Sequence, residues 1–210
     1  MDISMNSHDL WVPRITAQTI RILPATDGDP FKTFYLHPTV GTETNVYCTR
    51  RNEGKECPIC SFAKSLWDAA SSDSHKNRAR MLFARPKHAS TIMIRGEESK
   101  GPLIWVFGEE EHERLLDIVL DPHYADITSP TTGTDLIIHT AEDEEKIIIT
   151  PIGISSPLQQ DDDTDYTPII KHPPITKSLF VQRSIEELRE LVHHDERMWN
   201  EQQEASKSQK

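Results

Sequence analysis

Residues 36–60 read LHPTVGTETNVYCTRRNEGKECPIC and contain all three cysteines of the chain. Cys48, Cys57 and Cys60, taken with His37, form the pattern H-x10-C-x8-C-P-x-C. Structural zinc prefers four nitrogen and sulfur ligands in a tetrahedron, and one histidine with three thiolates is one of the usual sets. The Cys-Pro-x-Cys turn places two of the sulfurs on one side of an ion. The stretch therefore predicts one structural zinc ion held by these four residues.

The sequence does not determine the four ligands equally well. The two-residue spacing between Cys57 and Cys60 is the strongest part of the pattern. The histidine is less certain, because His75 and His88 are also within reach of such a site. A second interpretation treats the cysteines as small buried hydrophobic residues and His37 as an ordinary loop residue.

The composition is typical of a globular chain with a polar surface. Of the 210 residues, 36% are hydrophobic and 27% are charged, which fits one domain with additions or two small ones. No apolar run approaches the ~20 residues needed to span a bilayer, and the N-terminus lacks a signal-peptide core. We expect no membrane association. Because the cysteine count is odd and the spacing is metal-like, we expect a reducing cytosol rather than a disulfide framework.

The charge is distributed unevenly along the chain. The formal net charge is -11, yet residues 32–100 carry twelve Lys and Arg against seven Asp and Glu. Residues 101–165 carry two against sixteen. A basic block beside an acidic one attracts polyanions on one face and limits nonspecific binding on the other. The same pattern also arises from ordinary solvated surfaces.

Hydrophobic periodicity predicts short strands and three helices. Leu115, Leu116, Val119 and Leu120 are expected to form the core-facing side of the second helix. Ser184–Glu187 has the pattern of a capping box that begins the third helix. Strands are expected at about 14–23, 31–36, 80–85, 90–95, 103–107, 136–140 and 146–152, and helices at about 61–70, 109–120 and 184–203.

Short strands with a helix between them favour a mainly β fold. We expect an OB-fold barrel of five to six strands over residues 14–155, with a zinc subdomain inserted at about residues 37–70. The flanking segments are expected to be an irregular N-terminus (1–13), an acidic, proline-rich loop (156–183) that includes Asp161–Asp165, a C-terminal helix (184–204) and a disordered tail (205–210).

Enzymatic motifs are incomplete in this chain. The metalloprotease pattern fails because His112-Glu113 is followed by Leu116 where a second histidine is required. A zinc deaminase needs His-x-Glu, but His37 is followed by Pro38-Thr39. Four protein ligands also leave no open position on a zinc ion for a reacting water. We therefore expect the protein not to be an enzyme.

Basic residues surround and follow the predicted zinc ligands, and aromatic residues lie among them. Lys and Arg bind phosphates while aromatic rings stack on bases, which holds single strands without sequence preference. Trp105 and Phe107 share one face of a predicted strand. We expect Trp105 to point outward, and the alternative places it in the barrel core. The predicted DNA contacts are Tyr47, Arg50, Arg51, Lys55, Arg78, Arg80, Phe83, Arg85, Lys87, Arg95 and Trp105.

Over roughly residues 10–155 the chain resembles the helix-destabilising single-stranded DNA-binding proteins of T-even-type phages. The order and approximate spacing of several motifs agree with that family. They are Ile20–Pro24, the aromatic residues before His37, Cys48, Cys57-Pro58-Ile59-Cys60, Trp105-Val106-Phe107-Gly108 with the following helix, and the Pro130–Asp135 turn.

The resemblance implies an OB fold with an inserted zinc subdomain and a basic cleft for single-stranded DNA. By position, the family's zinc ligands fall on His37, Cys48, Cys57 and Cys60, and a cleft aromatic residue falls on Trp105. Two family elements have no counterpart here. Residues 1–13 contain no Lys or Arg where the family has a basic arm for cooperative binding, and the sequence ends SKSQK rather than in an acidic tail that recruits partners.

The sequence therefore predicts a sequence-nonspecific single-stranded DNA-binding protein of phage DNA replication, recombination or repair. It is expected in the cytoplasm of the infected bacterial host, with single-stranded DNA and phage replication or recombination proteins as partners. The alternative is a zinc-ribbon adaptor that binds other proteins through its acidic face.

Overall fold

The structure is a computed structural model that describes residues 10–124, 126–141, 146–158 and 175–208. Several predicted features lie outside these residues. They are most of the irregular N-terminus (1–9), the acidic turn at 142–145, the acidic run at 161–165 with the rest of 159–174, and the last two residues of the expected tail.

The described residues form two compact units. The first, which we call the helical unit, comprises residues 34–86 and 177–208. The second, which we call the sheet unit, comprises residues 10–33, the described part of 87–158, and 175–176. The helical unit therefore combines the segment around the cysteines with the C-terminal helix, and it is larger than the insertion at 37–70 that the sequence predicts.

Eight strands occur in the described residues, and most form where apolar and polar side chains alternate. In one of them Ile20 and Ile22 enter the apolar core, while Arg21 points to the other face of the strand. The strands are β1 (Leu10–Trp11), β2 (Gln18–Ile22), β3 (Lys32–Val40), β4 (Glu43–Tyr47), β5 (Arg85–Ile94), β6 (Leu103–Phe107), β7 (Thr134–Thr140) and β8 (Ile147–Ser155).

Five α-helices occur in the same residues. They are α1 (Thr49–Glu53), α2 (Pro58–Asp68), α3 (Asp73–Leu82), α4 (Glu109–Leu120) and α5 (Ile185–Ser208). Two short 3-10 helices, Glu98–Lys100 and Lys177–Leu179, complete the regular structure of the described chain.

The sheet unit is built on a mixed sheet with the strand order β1-β6-β5-β2-β7-β8. β1 pairs parallel with β6, and the other four pairs along this path are antiparallel. The predicted sheet is confirmed, whereas its closure into an OB barrel stays a prediction. The buried core is formed by Trp11, Ile20, Ile22, Phe31, Ile92, Ile94, Trp105, Phe107, Leu115, Ile118, Ile127, Leu136, Ile138 and Ile149.

Arg21 is buried in the sheet unit, and a dense set of acceptors compensates its charge. Its Nε donates to Asp135 Oδ1 at 2.8 Å, and its two Nη atoms donate to the carbonyl oxygens of Ser129 and Ser156 at 2.8 and 2.7 Å. A side chain on Gly133 would collide with the Ser129 carbonyl oxygen and would lie 2.6 Å from Arg21 Nη1. A glycine at this position therefore allows the buried ion pair to form.

The helical unit combines a hairpin with helices. β3 and β4 form the hairpin, which turns at Gly41, where φ is +61°. The Gly41 N–H donates to Asp195 on α5 at 3.1 Å, so the hairpin is fixed to the C-terminal helix. The buried cluster of this unit consists of Val40, Val46, Cys48, Cys57, Ile59, Ala63, Leu82, Leu188 and Val192.

The strand predicted at 80–85 is wrong, because this segment contains the end of α3. Ser72 caps α3 by accepting from the His75 N–H, and Arg78, Ala79 and Leu82 form its buried face. The polar residues Ser71–Ser74, which follow the helix predicted at 61–70, therefore contain the N-cap of the next helix.

The predicted capping box at α5 is confirmed. Ser184 Oγ accepts from the Glu187 N–H at 3.2 Å, and the Glu187 carboxylate accepts from the Ser184 N–H at 2.6 Å. The disordered tail is wrong for residues 205–208, because α5 continues through Ser208.

In α4, Leu115 faces the core as predicted, but Leu116, Val119 and Leu120 are exposed. Ile118, three residues after Leu115, takes the second buried position because it lies on the same side of the helix.

Candidate metal centre and the adjacent groove

Four candidate ligands meet in the helical unit, and local structure places each of them. His37 lies on β3, and Cys48 and Cys57 precede the first residues of α1 and α2 as N-caps. Cys60 lies in the first turn of α2, because Pro58 begins that helix. One nitrogen and three sulfur atoms from these residues all lie within 4.8 Å of one another.

The separations between these atoms fit a tetrahedral ion. Zn–S bonds of ~2.3 Å and Zn–N bonds of ~2.0 Å separate tetrahedral ligands by roughly 3.5–3.8 Å. Cys48 Sγ lies 3.4 Å from Cys60 Sγ, and His37 Nε2 lies 3.3 Å from Cys57 Sγ and 3.8 Å from Cys60 Sγ. The predicted set is therefore confirmed as one cluster that is consistent with one metal site.

The histidine of this cluster is His37 rather than either alternative. Its Nδ1 lies 2.6 Å from the Leu82 carbonyl oxygen. Because that oxygen can only accept, Nδ1 carries a proton, and Nε2 is the nitrogen directed at the sulfurs. His75 Nδ1 instead contacts the Ser72 hydroxyl at 2.7 Å, and His88 belongs to the sheet unit.

The four groups shift one another's protonation. Hydrogen bonds with Cys48 and Cys60 hold the pKa of the Cys57 thiol far below its usual range. Hydrogen bonds with Cys48 and Cys57, together with burial, raise the pKa of the Cys60 thiol. Burial lowers the pKa of His37, but hydrogen bonds with Cys48 and Cys57 outweigh it and raise the pKa to about 9. A divalent cation favours the thiolates and the neutral imidazole, and so displaces these protons.

The cluster lies in apolar surroundings. His37, Cys48 and Cys57 are buried, and Ile59, Ala63, Leu82 and Leu188 belong to the apolar cluster that includes the two cysteines. The Arg51 backbone N–H also points to Cys48 Sγ, at 3.4 Å. The four candidate ligands come from β3 and from the starts of α1 and α2, so one ion bound by all four would link these elements.

A shallow groove of about 440 Å³ lies beside the cluster, within the helical unit. Two exposed rings, Trp67 at 38% and Phe83 at 36% exposure, lie 6.1 Å apart. The Arg80 guanidinium lies 5.3 Å above the Trp67 ring. The residues that line the groove are Arg50, Arg51, Cys60, Lys64, Trp67, Asp68, Phe83 and Ala84.

Trp67 and Lys64 line the groove but are not among the predicted contacts. Hydrophobic periodicity places Trp67 on the apolar side of the helix predicted at 61–70, where a large aromatic residue is usually buried. The sequence signal that could have identified it is Lys64, the one basic residue of this helix, three positions before Trp67. We call this surface the basic-aromatic groove.

Two aromatic residues that were predicted to stack on DNA bases, Trp105 and Tyr47, are buried, so this prediction is wrong for both. Trp105 is 0% exposed and packs edge-to-face on Trp11, with ring centroids 5.6 Å apart. Tyr47 is 6% exposed and lies against Phe180 at 5.9 Å. Both rings lie in apolar cores, where burial stabilises them more than solvent contact does.

Two of the arginines predicted to contact DNA bind partners within the protein instead. Arg78 is buried and forms an ion pair with Asp195 at 2.7 Å, while its guanidinium lies 4.9 Å above the Trp199 ring. Arg95 pairs with Asp135 at 3.2 Å and donates to the Leu158 carbonyl oxygen at 2.6 Å. Both side chains hold their own units together, so they are not available to phosphates.

The remaining predicted contacts are distributed over both units. Arg50, Arg51 and Arg80 lie at or next to the groove, and Arg85 is exposed on β5. Lys55 is exposed and pairs with Glu53 at 2.6 Å. Lys87 is half-buried in the sheet unit.

Comparison with known proteins gave no match to a family model and none to a curated protein. Among the described residues, every helix is too short or too polar to cross a bilayer.

Proposed function

We propose that the protein binds single-stranded DNA without sequence preference, and that a structural zinc ion supports its binding surface. The observation that carries the proposal is the basic-aromatic groove, where Arg50, Arg51 and Lys64 surround the exposed rings of Trp67 and Phe83. Cations for phosphates beside rings for bases are the two components of sequence-tolerant strand binding.

The groove retains positive charge despite an acidic neighbour. Asp68 pairs with Lys64 at 2.8 Å, which leaves Arg50 and Arg51 as the cations not matched by a carboxylate of the groove lining. Arg51 lies 4.2 Å above the Tyr35 ring, a contact that fixes the guanidinium near the surface. This local charge attracts a phosphate chain even though the whole protein is acidic.

The fold and context of the proposal follow from the family resemblance. β6-β5-β2-β7-β8 is an antiparallel run of five strands, the number in an OB fold, and we propose that it closes as that barrel. We further propose a non-enzymatic role in phage DNA replication, recombination or repair within the host cytoplasm. The closed set of four protein ligands supports a structural ion.

One titration tests the function. Oligo-dT of increasing length and a duplex of matched length are added to the protein at two salt concentrations, with tryptophan fluorescence as the readout. We expect preference for the single strand and a log-log salt slope near -0.7 per phosphate contacted. Equal binding to duplex would contradict the proposal. Affinity that does not depend on oligonucleotide length would favour the adaptor alternative.

Charge variants locate the contact. Arg51→Ala should make the salt slope shallower by about 0.7, because one phosphate contact is lost. Arg189→Ala is a matched control, since Arg189 is exposed on α5 of the same unit and pairs with Glu56 at 3.3 Å. Equal salt slopes for the two variants would show that the groove does not contact the DNA.

A further inference from the structure

A second group of metal-binding side chains lies in the sheet unit. His88 is on β5, and Glu109 and His112 are three residues apart in the first turn of α4, so they share one face of that helix. One donor atom from each lies within 4.8 Å of the other two. We propose that these three residues form a second site, which takes a divalent transition-metal ion.

His88 already has the orientation of a ligand. Its side chain is buried, and its Nδ1 lies 3.1 Å from the Thr33 hydroxyl, which can accept the Nδ1 proton. Nε2 then faces Glu109 Oε2 at 3.2 Å. That distance suits neighbouring ligands on one ion, since metal–ligand bonds of ~2.1 Å at angles of 90–109° separate donors by roughly 3.0–3.4 Å. The Thr33 hydroxyl therefore orients the His88 ring and holds the proton on Nδ1, as the Leu82 carbonyl does for His37.

His112 completes the set after a rotation. Its ring is stacked on His88 at 3.7 Å and within 10° of parallel. Lone pairs of parallel rings lie in separate planes, so His112 must turn about its side-chain torsions to aim a nitrogen at an ion held by His88 and Glu109. The ring is only half-buried, which leaves room for that turn. Metal binding therefore breaks the stack.

The electrostatic surroundings of the His112 ring favour a cation. Glu109, Asp29 and Glu113 act on this ring with negative charge. These carboxylates offset the positive end of the α4 dipole, which by itself disfavours a cation in the first turn.

The ligand type distinguishes this site from the cysteine cluster. Two imidazoles and one carboxylate suit borderline ions such as Zn²⁺, Co²⁺ and Ni²⁺, whereas thiolates select softer ions. Three protein ligands also leave a coordination position for water or another ligand. The cysteine cluster is closed in this respect, so we expect the second ion to exchange faster than the first.

The test is zinc titration of protein that already holds one zinc, followed by calorimetry and metal analysis. We expect a second zinc per chain. Glu109→Gln and His112→Gln should each weaken it at least about 10-fold and leave the first zinc in place. Thr33→Val should weaken the second ion about 10–100-fold through loss of the His88 contact. The matched control is His123→Gln, because His123 is exposed and pairs with Asp121 in the same unit.

Two outcomes would overturn the proposal. One is zinc uptake that stops at one ion per chain in wild-type protein. The other is a His123→Gln variant that loses the second ion as readily as His112→Gln, which indicates adventitious surface binding only. Cobalt gives an independent readout, because the second ion should add ligand-field bands without the thiolate charge-transfer absorption of the cysteine cluster. Circular dichroism of each variant verifies that it is folded.

Discussion

The helical and sheet units differ in what lies at their centres. In the helical unit the buried cluster includes Cys48 and Cys57, and His37 is buried beside them. In the sheet unit the core is formed by aliphatic and aromatic side chains around Trp105. Burial stabilises the second kind of core, whereas we expect the first to reach full stability only when a cation replaces the thiol protons. We therefore expect the stability of the helical unit to depend on metal and that of the sheet unit to depend mainly on apolar packing.

Removal of a cysteine ligand should give the largest difference in stability between the two units. We expect Cys57→Ser to lose the metal and to increase hydrogen exchange in residues 34–86 and 177–208, while the sheet unit keeps its protection. Structural zinc sites contribute about 10–16 kcal/mol of apparent binding free energy in small domains, and one lost ligand removes much of it. Metal analysis and exchange mass spectrometry measure both effects.

Ser65→Ala is the control for that experiment, because Ser65 is exposed on the same helix, α2. It should keep both the metal and the exchange protection. Unchanged metal content in Cys57→Ser, or deprotection that spreads equally over both units, would contradict the metal-dependent core.

Trp105→Ala should act on the opposite unit. Loss of a fully buried indole should cost ~3–5 kcal/mol of unfolding free energy, because a cavity remains among Trp11 and Phe107. Denaturant unfolding followed by circular dichroism measures this cost. The metal of the cysteine cluster should be retained, since its four candidate ligands lie in the helical unit. A stability loss below ~1 kcal/mol would place Trp105 at the surface after all.

Trp67→Ala should show the reverse behaviour to Trp105→Ala. We expect a loss of ~1–3 kcal/mol in single-strand binding with an unchanged salt slope, because a stacking contact and no phosphate contact is removed. Folding stability should fall less than in Trp105→Ala, since Trp67 is 38% exposed whereas Trp105 is fully buried. If Trp67→Ala binds oligo-dT like the wild type while Phe83→Ala does not, Phe83 is the platform. If the variant with both Trp67→Ala and Phe83→Ala binds oligo-dT as tightly as the wild type, stacking on these rings does not contribute to binding.

The smallest expected effect concerns Glu53 in the helical unit. Hydrogen bonds with Lys55 and Lys177 lower the pKa of Glu53 to about 2 from an ordinary value of 4.5. Because the folded pKa is depressed, the stabilisation is present above pH 4.5 and is lost as the pH falls towards 2. Both lysines are exposed, and solvent screening therefore keeps the effect small. The protection factor near Lys177, which corrects for the pH dependence of intrinsic exchange, should therefore fall in acid, and Glu53→Gln should show the lower protection already at pH 6.

Local chemistry determined the elements that the sequence predicted well. The capping box at Ser184 and the glutamate-rich first turn of α4 are local signals, and both helices begin where these signals place them. Cys57 and Cys60 likewise converge because two residues in a helical turn separate them. The segment at 80–85 was misread because its helix depends on Ser72, whose polar neighbours also mark a stop.

The sequence by itself determined the ligand types, their spacing and the main helices and strands, because these depend on neighbouring residues. Only tertiary structure decided which rings are exposed. Trp105 and Trp67 are identical side chains in amphipathic segments, yet one is buried under Trp11 and the other lies open beside Phe83. Tertiary structure also decided which histidine joins the cysteines, since the Leu82 carbonyl, 45 residues away, orients His37. Exposure and orientation depend on contacts between distant segments, which no local pattern encodes.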